Sequence, residues 1–85
     1  AHTRLFLARR AAQLIEPGST VILDGGTTAL ATVRALDPGR ECTIITHSPT
    51  VAAALLHHTA EVIILGGRLF KHSAVASGAA AVEAA

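Results

Sequence analysis

The sequence contains no methionine, no tryptophan and no tyrosine, and its aromatic residues are Phe6 and Phe70 alone. At 85 residues the chain is one small domain, and a domain of this size buries only about 60–65% of its unfolded surface, so its core is simple. The missing methionine, absent even from position 1, leads to the expectation that the sequence is a piece of something longer. Charge is also scarce: 15% of residues are charged, and seven Lys+Arg are balanced by six Asp+Glu. That balance argues against charge-driven disorder and against a strongly basic nucleic-acid-binding domain. The one basic cluster, Arg4, Arg9 and Arg10, reads as a solvated helix face. No apolar run approaches the ~18 residues of a membrane span, and arginines inside the N-terminal apolar pattern do not suit a signal peptide. A single cysteine, Cys42, excludes an internal disulfide and suits a reducing, cytoplasmic setting, where it reads as a small buried thiol.

Against these absences stands a chain that is 51% hydrophobic, with a clear order. Three short β-branched runs, Thr20-Val21-Ile22-Leu23, Thr43-Ile44-Ile45-Thr46 and Val62-Ile63-Ile64-Leu65, are nearly continuous in apolar residues. Such runs predict strands covered on both faces, as in a parallel sheet. Segments of helical length separate them. Leu5, Ala8, Ala12 and Ile15 form one stripe, stopped by Pro17-Gly18; Ala29, Leu30, Val33 and Leu36 form a second; Val51, Ala52, Leu55 and Leu56 form a third. Asp37-Pro38-Gly39 turns the chain toward the second strand, and Ser48-Pro49 offers a cap followed by proline at the first helical position. The predicted fold is α/β: a Rossmann-like parallel sheet with flanking helices, its crossovers right-handed. The alanine-rich residues 77–85 are expected to start a further helix, with Glu83 on its polar side. A three-strand unit leaves edges uncovered, so missing sequence or a partner chain is expected to cover them.

In open parallel sheets ligands bind beyond the carboxyl ends of the strands, and three polar or glycine-rich segments fall there. The first is Asp24-Gly25-Gly26-Thr27-Thr28. Its glycines let backbone approach a ligand, and successive N–H groups at a helix start attract an anion, which suits phosphate without a metal. The same residues also suit a tight turn in which Thr27 merely caps a helix. It is neither a Walker A loop nor a full GxGxxG. The second is Thr46-His47-Ser48 and the third Gly66-Gly67-Arg68, where Arg68 would hold phosphate bidentately or pair with a surface carboxylate. Asp24 would accept sugar hydroxyls, act as a base, or cap an Asx-type turn. His57 and His58 are adjacent, so they cannot form the i, i+4 pair of a zinc site. No metal site, cofactor site or Ser-His-Asp order can be assembled.

These segments, in this order, resemble a known family. Val21-Ile22-Leu23-Asp24-Gly25-Gly26-Thr27-Thr28 resembles the "LDxGTT" signature of the DeoR-family effector domain. Ile44-Ile45-Thr46-His47-Ser48 resembles its "VVTNS" segment, and Val62-Ile63-Ile64-Leu65-Gly66-Gly67-Arg68-Leu69 its "ViLLGGxl" segment; Ala76-Ser77-Gly78 falls at its "vGp" element. The resemblance implies a fold similar to ribose-5-phosphate isomerase and the CoA transferases, of which this chain would be the N-terminal part. It implies a sugar-metabolism transcriptional regulator, a repressor, that senses a phosphorylated sugar or related metabolite and forms homo-oligomers. DNA would be bound by an N-terminal helix-turn-helix domain not present in these residues. Carried over by position, Asp24, Gly25, Gly26, Thr27 and Thr28 would form the first effector loop, Thr46, His47 and Ser48 the second, and Gly66, Gly67 and Arg68 the third. His47 stands where the family has Asn, which changes the donors and would make binding pH-sensitive. The family's lysine-bearing "DxSK" segment would lie beyond Ala85. The rival is an isomerase or transferase with Asp24 as acid–base group; against it, Glu41 and Glu61 precede their strands and leave no second carboxylate near the pocket. A third alternative is a module that serves only oligomerisation.

Overall fold

A computed structural model describes residues 2–77 and 81–82, with side-chain surroundings for residues 7–76. The elements run α1 (His2–Leu14), β1 (Thr20–Leu23), α2 (Thr27–Ala35), β2 (Thr43–Thr46), α3 (Pro49–Ala54), β3 (Glu61–Ile64), α4 (Gly67–Ser77) and β4 (Ala81–Val82). The expected α/β order is present. Past the end of α1, Gly18 takes a positive φ of 81° and donates its N–H to Glu41 O at 2.6 Å, which pins this turn to the entry of β2. Ser48 caps α3 as its residue type predicts, accepting from Val51 N at 3.2 Å with Pro49 in the first turn.

All strand pairings are parallel, in the order β3-β2-β1-β4. Thr20 to Leu23 pair in step with Thr43 to Thr46, which pair in step with Glu61 to Ile64. Strands β1 to β3 step one way across the sheet; β4 then lies on the far side of β1. Alternation sends Val21 and Leu23 to one face, where they join Ile44, Val62 and the helices. Ala12 and Ile15 of α1 and its exit, Ala29, Val33 and Leu36 of α2 and its end, and Val51 and Leu55 of α3 complete this aliphatic core. Helix α1 packs on α2, and α2 on α3. Cys42 is buried in the same core, and burial pushes its thiol pKa up against a weaker opposing effect of Arg40; it is a structural thiol.

Four expectations are corrected. The third strand begins at Glu61 and ends at Ile64 rather than covering 62–65, because register with β2 pairs Glu61 with Thr43; Leu65 still donates its N–H to Thr46 O at 3.0 Å. Strands covered on both faces hold for β1 but not for β3, whose Ile63 and Ile64 are exposed at the sheet edge. Helix α3 ends at Ala54, with Leu55 as its C-cap, so Leu55 is buried while Leu56 is 76% exposed instead of joining the stripe. Finally, the helix expected over residues 77–85 is not found at Ala81–Val82. Those two residues pair with Ile22 and Leu23 of β1, whose open edge offers hydrogen bonds that no local alanine preference matches. Helix α4 lies earlier instead, absorbing Gly67 and Arg68, expected in a loop, and ending at Ser77. Residues 78–80 and 83–85, including Gly78 and Glu83, lie outside the described residues.

Candidate functional site

The reversal of strand order between β1 and β4 marks the place where open α/β sheets bind ligands. Beside it, Asp24 leaves the carboxyl end of β1, and His47 leaves the carboxyl end of β2 on the other side of β1. Parallel pairing of Leu23 with Thr46 makes the next residues neighbours, and His47 Nε2 hydrogen-bonds Asp24 Oδ1. The same carboxylate oxygen accepts the Gly25 N–H at 2.7 Å. The hydrogen bond from His47, then that from Gly25, hold the Asp24 carboxyl below its usual pKa of 3.8, outweighing partial desolvation. Asp24 is therefore a carboxylate at neutral pH. The His47 ring also packs against Phe70, with centroids 4.7 Å apart and planes tilted by 58°, which fixes its orientation from the α4 side.

Between these strand ends and α4 lies a cavity of about 360 Å³. Asp24 and His47 form one wall; Gly67, Phe70, Lys71 and Ala74 form the other. Helical spacing explains the second wall, since residues three and four apart share a face. The cavity thus carries a carboxylate, an imidazole and an ammonium above an apolar floor.

The glycine turn beside it is built for close backbone approach. A Cβ on Gly25 would stand 3.4 Å from Ser48 Cβ, so the loops after β1 and β2 touch there. Gly26 is the N-cap of α2 with φ 109° and ψ 178° and supplies no side-chain cap, leaving first-turn N–H groups of α2 without a side-chain partner. Thr27 is exposed, whereas Thr28 is buried and its Oγ1 has no hydrogen-bond partner. Other hydroxyls named from sequence serve the backbone: Thr46 Oγ1 accepts from Ser48 N at 3.1 Å, and Ser48 Oγ caps α3. Gly66 accepts the Phe70 N–H at 2.9 Å in the first turn of α4.

The structure thus brings Asp24, His47 and Gly67 to one cavity; Gly25 and Gly26 follow Asp24 in the adjoining turn, and Thr27 lines a separate groove. It turns Thr28, Thr46 and Ser48 toward the protein. Arg68 is exposed and does not line this cavity. Phe70, Lys71 and Ala74 were not recognised from sequence, because their shared face becomes visible only once a helix is known to start at Gly67. His58 lies elsewhere, its Nδ1 accepting from Ala60 N at 2.9 Å while Nε2 donates to Asp37 O at 2.7 Å. Among the described residues no three His, Cys, Asp or Glu side chains gather as a metal site, and no helix is long and apolar enough to cross a membrane.

Fold and cavity together define an open parallel-sheet α/β domain with a charged pocket at its strand ends. Its family is established by comparison: the chain belongs to the DeoR C terminal sensor domain family, whose profile matches residues 1–85. It is 32% identical over 83 residues to the uncharacterized HTH-type transcriptional regulator FruR of Bacillus subtilis, covering 95% of this chain and 33% of that protein. It is 37% identical over 78 residues to the HTH-type transcriptional repressor GlcR of the same organism, covering 91% of this chain and 30% of that protein. It is also 37% identical over 68 residues to a putative aga operon transcriptional repressor of Escherichia coli O157:H7, covering 79% of this chain and 25% of that protein. The chain therefore spans about a third or less of these relatives. They are regulators, and the family is a sensor domain rather than an enzyme; the isomerase or transferase reading is set aside on that ground.

Proposed function

We propose that this chain is the effector-sensing part of a DeoR-type repressor, and that it binds a phosphorylated sugar or related metabolite at the strand ends. In this reading the protein acts in the cytoplasm as a homo-oligomer, and DNA is contacted by a helix-turn-helix domain elsewhere in the full regulator. The observation that carries the proposal is the Asp24–His47 pair at the carboxyl ends of β1 and β2, facing a cavity of about 360 Å³. A carboxylate and an imidazole offer acceptors and donors to hydroxyl groups. The volume is within the range of small-ligand sites. Around that pair, Gly25, Gly26, Thr27 and Thr28 run through the first loop of the proposed site, Thr46 and Ser48 flank His47 in the second, and Gly66 and Gly67 open the third, with Arg68 exposed outside the cavity. Ligand binding would shift the balance between states of different operator affinity.

The test is thermal unfolding of the full regulator against a panel of hexose and pentose phosphates, paired with operator release measured by fluorescence anisotropy. A ligand present at 100 times its Kd stabilises the folded state by about 2.7 kcal/mol. A rise in the unfolding midpoint with release of DNA is expected for at least one sugar phosphate. No response to any of them would refute the proposal.

A further inference from the structure

We propose that Lys71 is the phosphate-recognising residue of this pocket, set on α4 opposite an Asp24–His47 pair that reads the sugar hydroxyls. The inference rests on the phosphosugar reading above and adds a direction to it: which end of the ligand lies where.

Three side chains able to carry charge line the cavity, and they lie on two walls. On the strand-end wall, Asp24 is ionised, so a phosphate placed there meets a carboxylate. The glycine turn expected to cradle an anion already holds one: Gly25 gives its N–H to Asp24 Oδ1 at 2.7 Å, and His47 Nε2 binds the same oxygen. The turn is thus part-filled by the chain's own carboxylate. Further along, Thr27 opens not on this cavity but on a separate groove between α1 and α2, beside Arg9 and Arg34. Asp24 Oδ2 and His47 Nδ1 remain as a hydroxyl acceptor and a second ring nitrogen, a pair suited to a polyol rather than an anion.

The α4 wall has the opposite character. Lys71 stands one helical turn after Gly67, and both line the cavity. A Cβ on Gly67 would meet nothing within 4 Å, so the wall is open one helical turn before Lys71. Phe70 and Ala74 supply an apolar surface for the C–H face of a sugar between the two polar ends. Arg68, the cation that the sequence alone points to, is exposed and absent from this lining. An ammonium acts on phosphate as a point charge and tolerates varied approach, which suits a residue on a helix surface.

The experiment is isothermal titration calorimetry of the full regulator with glucose 6-phosphate, fructose 1-phosphate and ribose 5-phosphate. Lys71→Gln, Lys71→Arg and Arg68→Gln are compared with the unmutated protein. Lys71 is exposed, and a thermal melt of each variant checks that it is folded. Losing one charge-assisted contact should weaken binding about 10- to 100-fold. We expect that loss in Lys71→Gln, retention of most affinity in Lys71→Arg, and no change in Arg68→Gln. Unchanged affinity in Lys71→Gln, or a loss confined to Arg68→Gln, overturns the role of Lys71 while leaving phosphosugar sensing intact. If the unmutated regulator binds none of the three probes, the phosphosugar reading fails and this inference fails with it.

Discussion

Gly26→Ala is the substitution that most sharply tests how the first effector loop is held. Gly26 sits at φ 109° and ψ 178° as the N-cap of α2, a combination open essentially to glycine alone, and forcing another residue into such a region costs on the order of 1–3 kcal/mol. The penalty comes from the backbone itself, so it does not depend on free space around the new methyl. In a domain of this size each kcal/mol moves the melting midpoint by roughly 4–8 °C, which puts the expected fall between about 4 and 24 °C. Gly67→Ala is the internal control. Gly67 opens α4 without a positive φ, and its Cβ would meet nothing within 4 Å. There, replacing glycine should stabilise by up to about 1 kcal/mol through helix propensity. Circular dichroism melts of the two variants under one condition make the comparison. A Gly26→Ala midpoint within about 2 °C of the unmutated protein would show that the loop relaxes to ordinary dihedral angles, and the argument that its shape is enforced by glycine would be wrong.

The remaining predictions concern core, charge and a buried hydroxyl. Leu55→Ala, at a side chain 2% exposed, should cost about 2–5 kcal/mol in urea unfolding, while Leu56→Ala next to it should stay within about 0.5 kcal/mol; equal effects would place Leu56 in the core. Asp24 has a folded pKa depressed below 3.8, so its stabilising contribution is present above pH 3.8 and is lost as pH falls through the lowered value. His47→Ala removes the largest cause of that depression, and an NMR titration should show the Asp24 carboxyl rising back toward its ordinary value; no movement would mean that the hydrogen bond is not formed in solution. Thr28→Val deletes an Oγ1 that is buried without a partner and should be neutral or stabilising by about 1 kcal/mol. Thr32→Val, which breaks a 2.8 Å bond to Thr28 O, should instead cost about 0.5–1.5 kcal/mol; a clear loss in Thr28→Val would reveal a partner for its hydroxyl.

The residues show where reading the chain succeeds and where it fails. β-branched runs at Thr20–Leu23 and Thr43–Thr46 announce their strands because branched side chains suit a buried pleated surface, a preference held within each run. Pro17-Gly18 and Ser48-Pro49 announce their turn and cap for equally local reasons: fixed φ, a missing donor, a hydroxyl within reach of the third N–H along. Asp24 and His47 were placed at strand ends by the same means, since a parallel strand's carboxyl end is set by its own residues.

What the chain could not announce depends on groups distant in sequence. That Asp24 and His47 bond to each other follows from the in-step pairing of β1 with β2 across 23 positions, and register is a property of two strands together. That Lys71 rather than Arg68 faces the cavity turns on which side of α4 meets the strand ends, a choice made by packing. Ala81–Val82 became a strand because the open edge of β1 supplies hydrogen bonds there, against the helical leaning of an alanine-rich segment. Local propensities of a few tenths of a kcal/mol per residue settled the elements, and tertiary contacts that no propensity contains settled the pocket.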